Sequence, residues 1–367
     1  MIGVFGAHTG AEELDALAPS VLDGWMGMGP RVAEFEAAME RHIGAPMVMV
    51  DSGSNALHAA IAALQLPPRS DVVVPALTWV ACANAVALAG HRPIFADVDV
   101  ATQNVTAVHV EQVLTPRTAA VMVVHYAGRP VDMDDVAALG LPVVEDAAHA
   151  VDSVLDGRAC GTLGDVGIYS FDAVKNLATP DGGGVTAADP EILERVRHLR
   201  YCGIGASGFS RAGGNGARWW EQPAGEIFPR ALPNDVSASI GLAQLQRLAA
   251  NQARRRAIWA HYQGELADLP WLATPVDPGA GQRHSWFTYF LRVLDGRRDA
   301  LARKLLDRGI YTTLRYHPLH LAGTFGAPER ALPNCELLAE QGLNIPLHPS
   351  LTDAEVEQVV AAVRDHA

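Results

Sequence analysis

Lysine is almost missing from this sequence, and basic residues as a group are outnumbered by acidic ones. Its 367 residues include 28 lysines and arginines against 41 aspartates and glutamates, and the two lysines are Lys175 and Lys304. The formal net charge is −13 with histidine counted as neutral. A surface for nucleic acid needs a concentration of positive charge, which this composition does not supply. The sequence therefore argues against a nucleic-acid partner.

Cysteine is also scarce, and its spacing indicates no site. The four cysteines, Cys82, Cys160, Cys202 and Cys335, lie far apart and form no C-x-x-C pair. A disulfide framework or a zinc site needs a denser pattern, so we predict neither of them and no bound metal. Reduced thiols are typical of the cytoplasm, which is where we expect the protein.

Long hydrophobic runs are missing as well. Residues 72–90 are uncharged and almost long enough to span a bilayer. However, Pro75 and Asn84 interrupt this run, whose β-branched first part and alanine-rich second part fit a strand and then a buried helix. The first residues show no basic segment followed by an apolar stretch. We therefore expect neither a signal peptide nor a membrane partner.

What the sequence does contain is an alternation of apolar strand-like segments with helical ones. Apolar runs such as residues 46–50 and 72–74 are separated by helical stretches such as residues 54–64. Strands that are apolar throughout are buried on both faces, so the pattern predicts an α/β fold with a mostly parallel sheet. A long helical stretch over residues 238–266 and a Pro- and Gly-rich stretch over residues 269–283 precede a second predicted unit.

Lys175 is surrounded by the residues that a pyridoxal phosphate site needs. An apolar run ends in Glu145 and Asp146, Ser170 stands five residues before the lysine, and three glycines follow at 182–184. In such a site the lysine forms an imine, an acid keeps the pyridine nitrogen protonated and a serine binds the phosphate. The apolar surroundings of Lys175 favour the low amine pKa that this chemistry requires. A single lysine is usually a solvated surface charge, so the prediction rests on the combination.

Other segments give weaker indications of the same site. A predicted helix follows one of the strands, and its first turn contains Gly53, Ser54 and Asn55. Backbone N–H groups and the helix dipole favour phosphate there, although serine caps helices of every kind. Trp79 follows another strand and either stacks on a pyridine ring or belongs to the core. His149 either orients Asp146 by a hydrogen bond or is a satisfied core histidine.

Two further assignments complete the candidate site, one for the acid at the end of a strand and one for a pair of histidines. Adjacent side chains at the end of a strand point to opposite faces, and we assign Asp146 rather than Glu145 to the cofactor. His317 and His320 have no third ligand at a suitable spacing. We predict that these two histidines line the substrate pocket from the second domain and hold no metal.

Taken together, these segments resemble the DegT/DnrJ/EryC1/StrS family of pyridoxal-phosphate-dependent sugar aminotransferases. The resemblance covers nearly the whole chain and rests on the order and spacing of short motifs at residues 24–25, 29–36, 51–54, 74–79, 97–100, 125–128, 240–245 and 345–349. It implies the α/β architecture of fold type I, with a three-layer large domain around a mostly parallel central sheet and a smaller α/β C-terminal domain. We expect the large domain, with an N-terminal arm, at residues 1–250 and the small domain at residues 251–367.

The resemblance also implies roles for individual residues. Lys175 forms the imine with pyridoxal phosphate and shuttles protons, Asp146 pairs with the pyridinium nitrogen, and His149 and Trp79 lie against the ring. Four residues form the phosphate cup: Gly53, Ser54, Asn55 and Ser170. Homodimers of this family build each site from two chains, and Arg230 stands where a partner-chain residue reaches the phosphate.

The activity that the resemblance implies is transfer of an amino group from an amino acid, preferably L-glutamate, to a keto-sugar nucleotide. The motif forms at Thr78-Trp79 and at residues 125–128 resemble the branch that acts at C4, so we expect a 4-keto-6-deoxy sugar in amino-sugar or natural-product biosynthesis. Two alternatives stay open: a family enzyme acting on a cyclitol or aromatic precursor, as an aminotransferase or dehydratase, and a non-catalytic regulator that binds the cofactor.

The sequence departs from the family pattern in two further places. Gly27 and Met28 replace the hydroxyl residues that usually precede Gly29, so a hydroxyl contact to substrate is lost. Residues 203–222 form a long Gly-rich segment that contains Trp219 and Trp220. We expect this segment to reshape the substrate entrance.

Overall fold

The computed structural model describes residues 1–205, 218, 220–221, 225–327 and 329–365. Most of residues 203–222, the predicted entrance segment, therefore lie outside the described residues. The described strands, in chain order, are β1 (Met47–Val50), β2 (Asp71–Pro75), β3 (Arg92–Ala96), β4 (Thr118–Val124), β5 (Val143–Asp146), β6 (Val154–Leu155), β7 (Arg158–Ala159), β8 (Val166–Ser170), β9 (Gly183–Ala187), β10 (Leu272–Ala273), β11 (Gln282–Arg283), β12 (Tyr289–Val293) and β13 (Gly342–Ile345).

Helices separate most of these strands. The described α-helices, in chain order, are α1 (Ala11–Leu22), α2 (Pro30–Ile43), α3 (Gly53–Ala63), α4 (Val80–Leu88), α5 (Ala107–Glu111), α6 (Met133–Ala137), α7 (Pro190–Leu199), α8 (Asp235–Leu266), α9 (Arg298–Asp307), α10 (Pro333–Gln341) and α11 (Asp353–Arg364). Short 3₁₀ turns occur at Tyr126–Gly128, Leu319–Leu321 and Gly323–Phe325. None of the described helices is both long and apolar enough to cross a membrane.

Seven strands form one central sheet in the order β1-β9-β8-β5-β4-β2-β3. Strand β9 runs antiparallel to both of its neighbours, β1 and β8. The remaining neighbours, from β8 across to β3, pair in parallel. The predicted mostly parallel sheet is thus confirmed, and the carboxyl ends of its parallel strands share one edge.

Alternate residues of the strands bury opposite faces of the sheet, which gives three layers. On one face, Val48, Val74 and Ile168 are in the apolar core that contains α3, α4 and α7. On the other face, Met49 and Tyr169 pack with α2 and the first half of α8, and a neighbouring cluster includes α5 and α6. Burial on both faces explains why the strands are apolar throughout.

A second, smaller sheet follows in the chain. Strands β10, β12 and β13 form an antiparallel sheet, which packs with α9, α11 and the second half of α8 in a separate apolar cluster. Ile2, near the start of the chain, belongs to this cluster, and its backbone exchanges hydrogen bonds with Gly309 and Tyr311. The predicted smaller α/β unit is therefore present.

The proposed domain boundary at residue 250 falls inside α8. This helix has 32 residues and begins at Asp235, directly after Asn234, whose side chain caps it by accepting from the N–H of Ser237. Ala238 and Leu248 pack under the central sheet, whereas Ile258 and Tyr262 pack in the second core. The helix thus belongs to both units, and the assignment of residues 1–250 and 251–367 to two domains stays a prediction.

Candidate active site

A cavity of about 500 Å³ opens at the carboxyl edge of the central sheet. Strand β5 ends at Asp146 and β8 ends at Ser170, while α3 begins directly after β1. The loops that follow parallel strands meet at this edge, which is where α/β proteins bind ligands. The cavity is lined by the residues predicted to bind or act on the cofactor, except Asn55 and Arg230: Gly53, Ser54, Trp79, Asp146, His149, Ser170 and Lys175.

Lys175 lies in a turn just after β8. Its backbone N–H donates to the carbonyl oxygen of Asp172 at 2.8 Å, and its Nζ lies 5.0 Å from the ring centroid of Phe287. Burial lowers the pKa of Lys175 to about 8, and the positive charge of Arg315 adds to this effect. An amine with this pKa is partly neutral near pH 7 and can act as a nucleophile.

The carboxylate of Asp146 is held at both oxygens. Its Oδ1 accepts from the backbone N–H of Ala148 at 2.9 Å, and its Oδ2 accepts from the Cys82 thiol at 3.0 Å. The side chain is buried, yet it lines the cavity. A fixed, buried carboxylate at the cavity wall can stabilise a positive charge placed against it.

The neighbouring Glu145 has a structural role on the opposite side of β5. Its carboxylate accepts from His125 Nε2 at 2.8 Å and from the backbone N–H groups of Gly161, Leu163 and Gly164. It is fully buried and lies outside the cavity lining. The geometry therefore favours Asp146 over Glu145 as the acid that faces a ligand.

One end of the cavity has the form of an anion site. Helix α3 begins there, with Ser52 capping it by accepting from the N–H of Asn55 at 3.2 Å. Gly53 and Ser54 line the cavity opposite Ser170. A Cβ atom added to Gly53 would lie 2.7 Å from Ser170 Oγ, so only glycine leaves the space between them open. Backbone N–H groups, a helix dipole and serine hydroxyls suit a phosphate group.

The side chain of Asn55 faces away from this space. Its Nδ2 donates to Asp51 Oδ1 at 2.8 Å, and the residue does not line the cavity. Arg230 is exposed, is bridged through its backbone to Tyr201, and also lies outside the cavity of its own chain. Its assignment to a partner subunit's phosphate stays a prediction.

Two aromatic side chains border the cavity near Asp146. His149 stacks on Phe287 with ring centroids 4.1 Å apart, and its Nε2 shares a hydrogen bond with Tyr316 Oη at 3.1 Å. Burial, with the positive charges of Lys175 and Arg315, holds the pKa of His149 well below its usual value, so the ring is neutral. Trp79 is 55% exposed and presents an unburied aromatic face to the cavity.

The structure adds residues that sequence reasoning missed. Phe5, Arg315 and Tyr316 line the cavity, and Arg315 lies over the Phe5 ring at 3.8 Å while donating to Tyr316 Oη at 2.9 Å. Arg315 and Tyr316 stand immediately before the histidine pair at 317 and 320. The sequence thus indicated the correct segment, but the prediction assigned the pocket to its histidines. Phe5 carries no local signal.

The prediction that His317 and His320 line this pocket is wrong. His317 is exposed and does not line the cavity, and His320 shares a hydrogen bond with Glu336 Oε1 at 3.1 Å in a different part of the molecule. The backbone at Arg315 and Tyr316 directs those two side chains to the cavity instead. Among the described residues, no group of three or more His, Cys, Asp and Glu side chains is placed to hold a metal ion.

The residues present fit pyridoxal phosphate. The glycine-lined anion site suits the phosphate, the fixed Asp146 carboxylate suits a protonated pyridine nitrogen, and Lys175 supplies an amine of lowered pKa. The buried Nδ1 of His149 has no hydrogen-bond partner among the described residues, which leaves it available to a ligand atom. Trp79 offers a ring face of the kind on which a pyridine stacks.

Comparison with known proteins identifies the family. The chain matches the DegT/DnrJ/EryC1/StrS aminotransferase family over residues 8–364. It is 41% identical, over 98% of its length and 95% of the relative, to a Saccharopolyspora spinosa protein named dTDP-4-dehydro-2,3,6-trideoxy-D-glucose 4-aminotransferase.

Two solved structures support the same assignment. The aminotransferase TlmJ from Streptoalloteichus hindustanus is 44% identical with a TM-score of 0.93, covering 100% of this chain and 98% of its own. DesV from S. venezuelae is 32% identical with a TM-score of 0.87, covering 97% and 94%. This chain belongs to the DegT/DnrJ/EryC1/StrS family and is a pyridoxal-phosphate-dependent aminotransferase of fold type I.

Proposed function

We propose that this aminotransferase transfers the amino group of L-glutamate to C4 of a 4-keto-6-deoxy sugar nucleotide. The observation that carries the proposal is the 41% identity, over almost the whole chain, to a protein named as a 4-aminotransferase of a dTDP-linked 4-keto sugar. Its place is amino-sugar formation in natural-product biosynthesis. The cyclitol and regulator alternatives have no observation of their own in this structure.

Different residues of the cavity wall bind different parts of the cofactor. When bound, pyridoxal phosphate supplies an aldehyde that can accept an amino group and a ring that withdraws electrons from the reacting carbon. The start of α3, with Gly53 and Ser54, binds the phosphate together with Ser170. Asp146 holds the proton on the pyridine nitrogen, because its buried negative charge stabilises the positive ring.

Lys175 has two tasks in this scheme. Its neutral Nζ holds the cofactor covalently between turnovers, which the lowered pKa makes possible. With the cofactor and the donor bound, the same Nζ would act as the general base that takes the proton from Cα of the donor. In the second half of the reaction it delivers a proton to C4 of the sugar.

Arg315 is placed to bind the negatively charged carboxylate of the amino donor. Two cationic side chains line the cavity in the described part of the chain, Lys175 and Arg315. The guanidinium stacks on Phe5 and donates to Tyr316, so a face of it is fixed in position. An arginine presented in this way binds a carboxylate in a planar, bidentate manner. Arg315 therefore binds a carboxylate of L-glutamate.

The assembly and location are part of the same proposal. We infer a homodimer in which Arg230, exposed on its own chain, reaches the phosphate site of the partner subunit. We also infer that the enzyme works in the cytoplasm, where thiols stay reduced. Its four cysteines are free in the structure, and three of them are buried. Binding of nucleic acid or membrane has no support in the charge of the chain, which is −13.

The test is amination of a panel of ketones by the holoenzyme with L-glutamate. The panel contains dTDP-sugars with the ketone at C4 or at C3, and a keto-cyclitol, and mass spectrometry measures the amino products. We expect the 4-keto sugar nucleotide to be aminated fastest, with no product from a Lys175→Ala control. Preferential amination of the C3 ketone or the cyclitol would overturn the proposed substrate.

A further inference from the structure

The thiol of Cys82 lies directly behind the Asp146 carboxylate. Cys82 is in the first turn of α4 and is fully buried. Its Sγ donates to Asp146 Oδ2 at 3.0 Å and lies 3.1 Å from Thr78 Oγ1. An ionised carboxylate can only accept, so the single thiol hydrogen points to Asp146 and Thr78 donates to the sulfur. The three side chains form a directed chain that ends at the carboxylate.

The hydrogen bond from Cys82 fixes the orientation of the Asp146 carboxylate, which the backbone alone leaves free to rotate. The N–H of Ala148 holds Oδ1 of Asp146, but one hydrogen bond does not set the rotation of a carboxylate about its Cβ–Cγ bond. The thiol holds the second oxygen and thereby sets the plane of the group. Because that plane decides where the oxygens point into the cavity, it decides how well they meet a proton on a pyridine nitrogen.

A thiol suits this position for an electrostatic reason. The S–H group is a weak donor, so it withdraws less charge from the carboxylate than a hydroxyl would. Burial, and then the negative charge of Asp146, raise the pKa of Cys82 well above its usual value. The thiol consequently stays protonated, and the carboxylate keeps most of its charge for the group on its other side.

We propose that Cys82 is a positioning residue for the aminotransferase reaction, acting with Thr78 to orient the Asp146 carboxylate toward the pyridine nitrogen of the cofactor. The proposal rests on the proposed role of Asp146. Cys82 is not part of the cavity lining and acts only through that carboxylate.

The test compares three variants of the holoenzyme with a matched control. Cys82→Ala removes the donor, Cys82→Ser restores one, and Thr78→Val removes the hydroxyl that directs the thiol. Cys335→Ala is the control, since Cys335 is also fully buried and lies beside a carboxylate outside the cavity, that of Asp97, which accepts from its backbone N–H at 2.8 Å. The first readout is the ¹⁵N chemical shift of pyridoxal phosphate labelled at its ring nitrogen, and the second is kcat and KM for L-glutamate.

We expect Cys82→Ala to shift the ¹⁵N resonance toward the unprotonated ring and to lower kcat about tenfold, the scale of one hydrogen bond to a charged group, with KM little changed. Thr78→Val should act in the same direction and Cys82→Ser should recover most of kcat. Wild-type resonances in both Cys82→Ala and Thr78→Val would overturn the proposal. So would equal losses in Cys82→Ala and Cys82→Ser that match Cys335→Ala.

An Asp146→Asn holoenzyme measured beside them separates two failures. If its ¹⁵N resonance moves while that of Cys82→Ala does not, the role of Asp146 stands and that of Cys82 falls. If neither moves, Asp146 does not hold the pyridine proton and the proposed function of the site has failed first.

Discussion

The guanidinium of Arg315 and the amine of Lys175 line the same cavity, and the arginine adds to burial in lowering the pKa of the lysine to about 8. Like charges in a site of low polarity each make the other harder to protonate. Arg315 follows α9 in the second unit of the chain, whereas Lys175 follows β8 of the central sheet. The pKa of the nucleophile in one unit is therefore lowered by a residue of the other unit.

This relationship predicts the pH dependence of cofactor capture. The rate at which the apo-protein takes up pyridoxal phosphate should rise with pH and level off above about 8, because only the neutral amine reacts. Arg315→Gln removes the repelling charge, so the pKa of Lys175 should rise and the inflection should move to higher pH. Arg315→Lys keeps the charge and serves as the control. Stopped-flow absorbance measures the rates, and an unchanged inflection in Arg315→Gln would contradict the coupling.

The scarcity of lysine makes the attachment site easy to prove. Borohydride reduction of the holoenzyme should fix pyridoxal phosphate on Lys175, which faces the cavity. Lys304 is the other lysine, and its Nζ donates to the carbonyl oxygen of Asp365 on the surface of the second unit. Peptide mapping by mass spectrometry distinguishes the two, with Lys304→Arg as the matched control. An adduct on Lys304 would overturn the site assignment.

Replacing Asp146 by asparagine should separate binding from catalysis. The amide keeps the size but lacks the negative charge that stabilises a protonated pyridine ring. We expect pyridoxal phosphate still to bind, while the half-reaction with L-glutamate slows on the order of 10³-fold, the scale of losing a key electrostatic partner. Single-turnover spectroscopy measures both. Glu145 cannot take over, because His125 and three backbone N–H groups already occupy its oxygens.

Mixed dimers test whether Arg230 serves the partner subunit. Arg230→Ala should weaken retention of pyridoxal phosphate without unfolding the chain, since one charge-assisted contact is worth roughly 1.5–3 kcal/mol. A dimer of one Lys175→Ala chain and one Arg230→Ala chain has one site with both residues and one with neither. Its activity should recover to up to about half of the wild-type value, while each homodimer stays impaired.

The control for this experiment is direct evidence that subunits exchange. Differently tagged chains, purified through both tags in sequence, isolate the mixed dimer before activity is measured. If the isolated mixed dimer shows no recovery, Arg230 acts in its own chain's site or in none, and the motif position assigned to it is wrong.

The large-unit elements that the sequence predicted are those with continuous local patterns. Apolar runs predicted β1, β2 and α3 within one or two residues of their bounds, because burial on both faces leaves no alternation to misread. The candidate site was predictable around Lys175 for a related reason. Asp146, Ser170 and the lysine itself come from two adjacent strands and the turn after them, so short sequence distances became short spatial ones.

Strand β9 shows why other elements were not predictable. It begins with Gly183 and Gly184, and glycine runs are typical of turns rather than strands. In the fold, a side chain at Gly183 would collide with the carbonyl of Ser52, and one at Gly184 with the side chain of Met47. The glycines are required by the close approach of β1 and the loop after it, which no local pattern reveals.

The cavity residues that were missed come from distant parts of the chain. Arg315 shares the cavity with Lys175 and lowers its pKa although the two are far apart in the sequence, and Phe5 stacks on Phe287 with ring centroids 5.6 Å apart. Such contacts depend on how the second unit is placed against the first. The histidine pair at 317 and 320 had a recognisable metal-like spacing, yet spacing alone did not indicate which side chains of that segment face the cavity.

The uninterrupted length of α8 has a consequence for how this enzyme can change. Asn176, next to Lys175, donates to Gln252 in the middle of that helix and to the carbonyl of Ser285, just before β12. An α-helix turns by about 100° and advances by about 1.5 Å for every residue. One residue gained or lost between Leu248 and Ile258 would therefore swing Arg315 around the helix axis, away from Lys175, without touching either of them. The register of α8 is therefore fixed by the geometry that the active site requires.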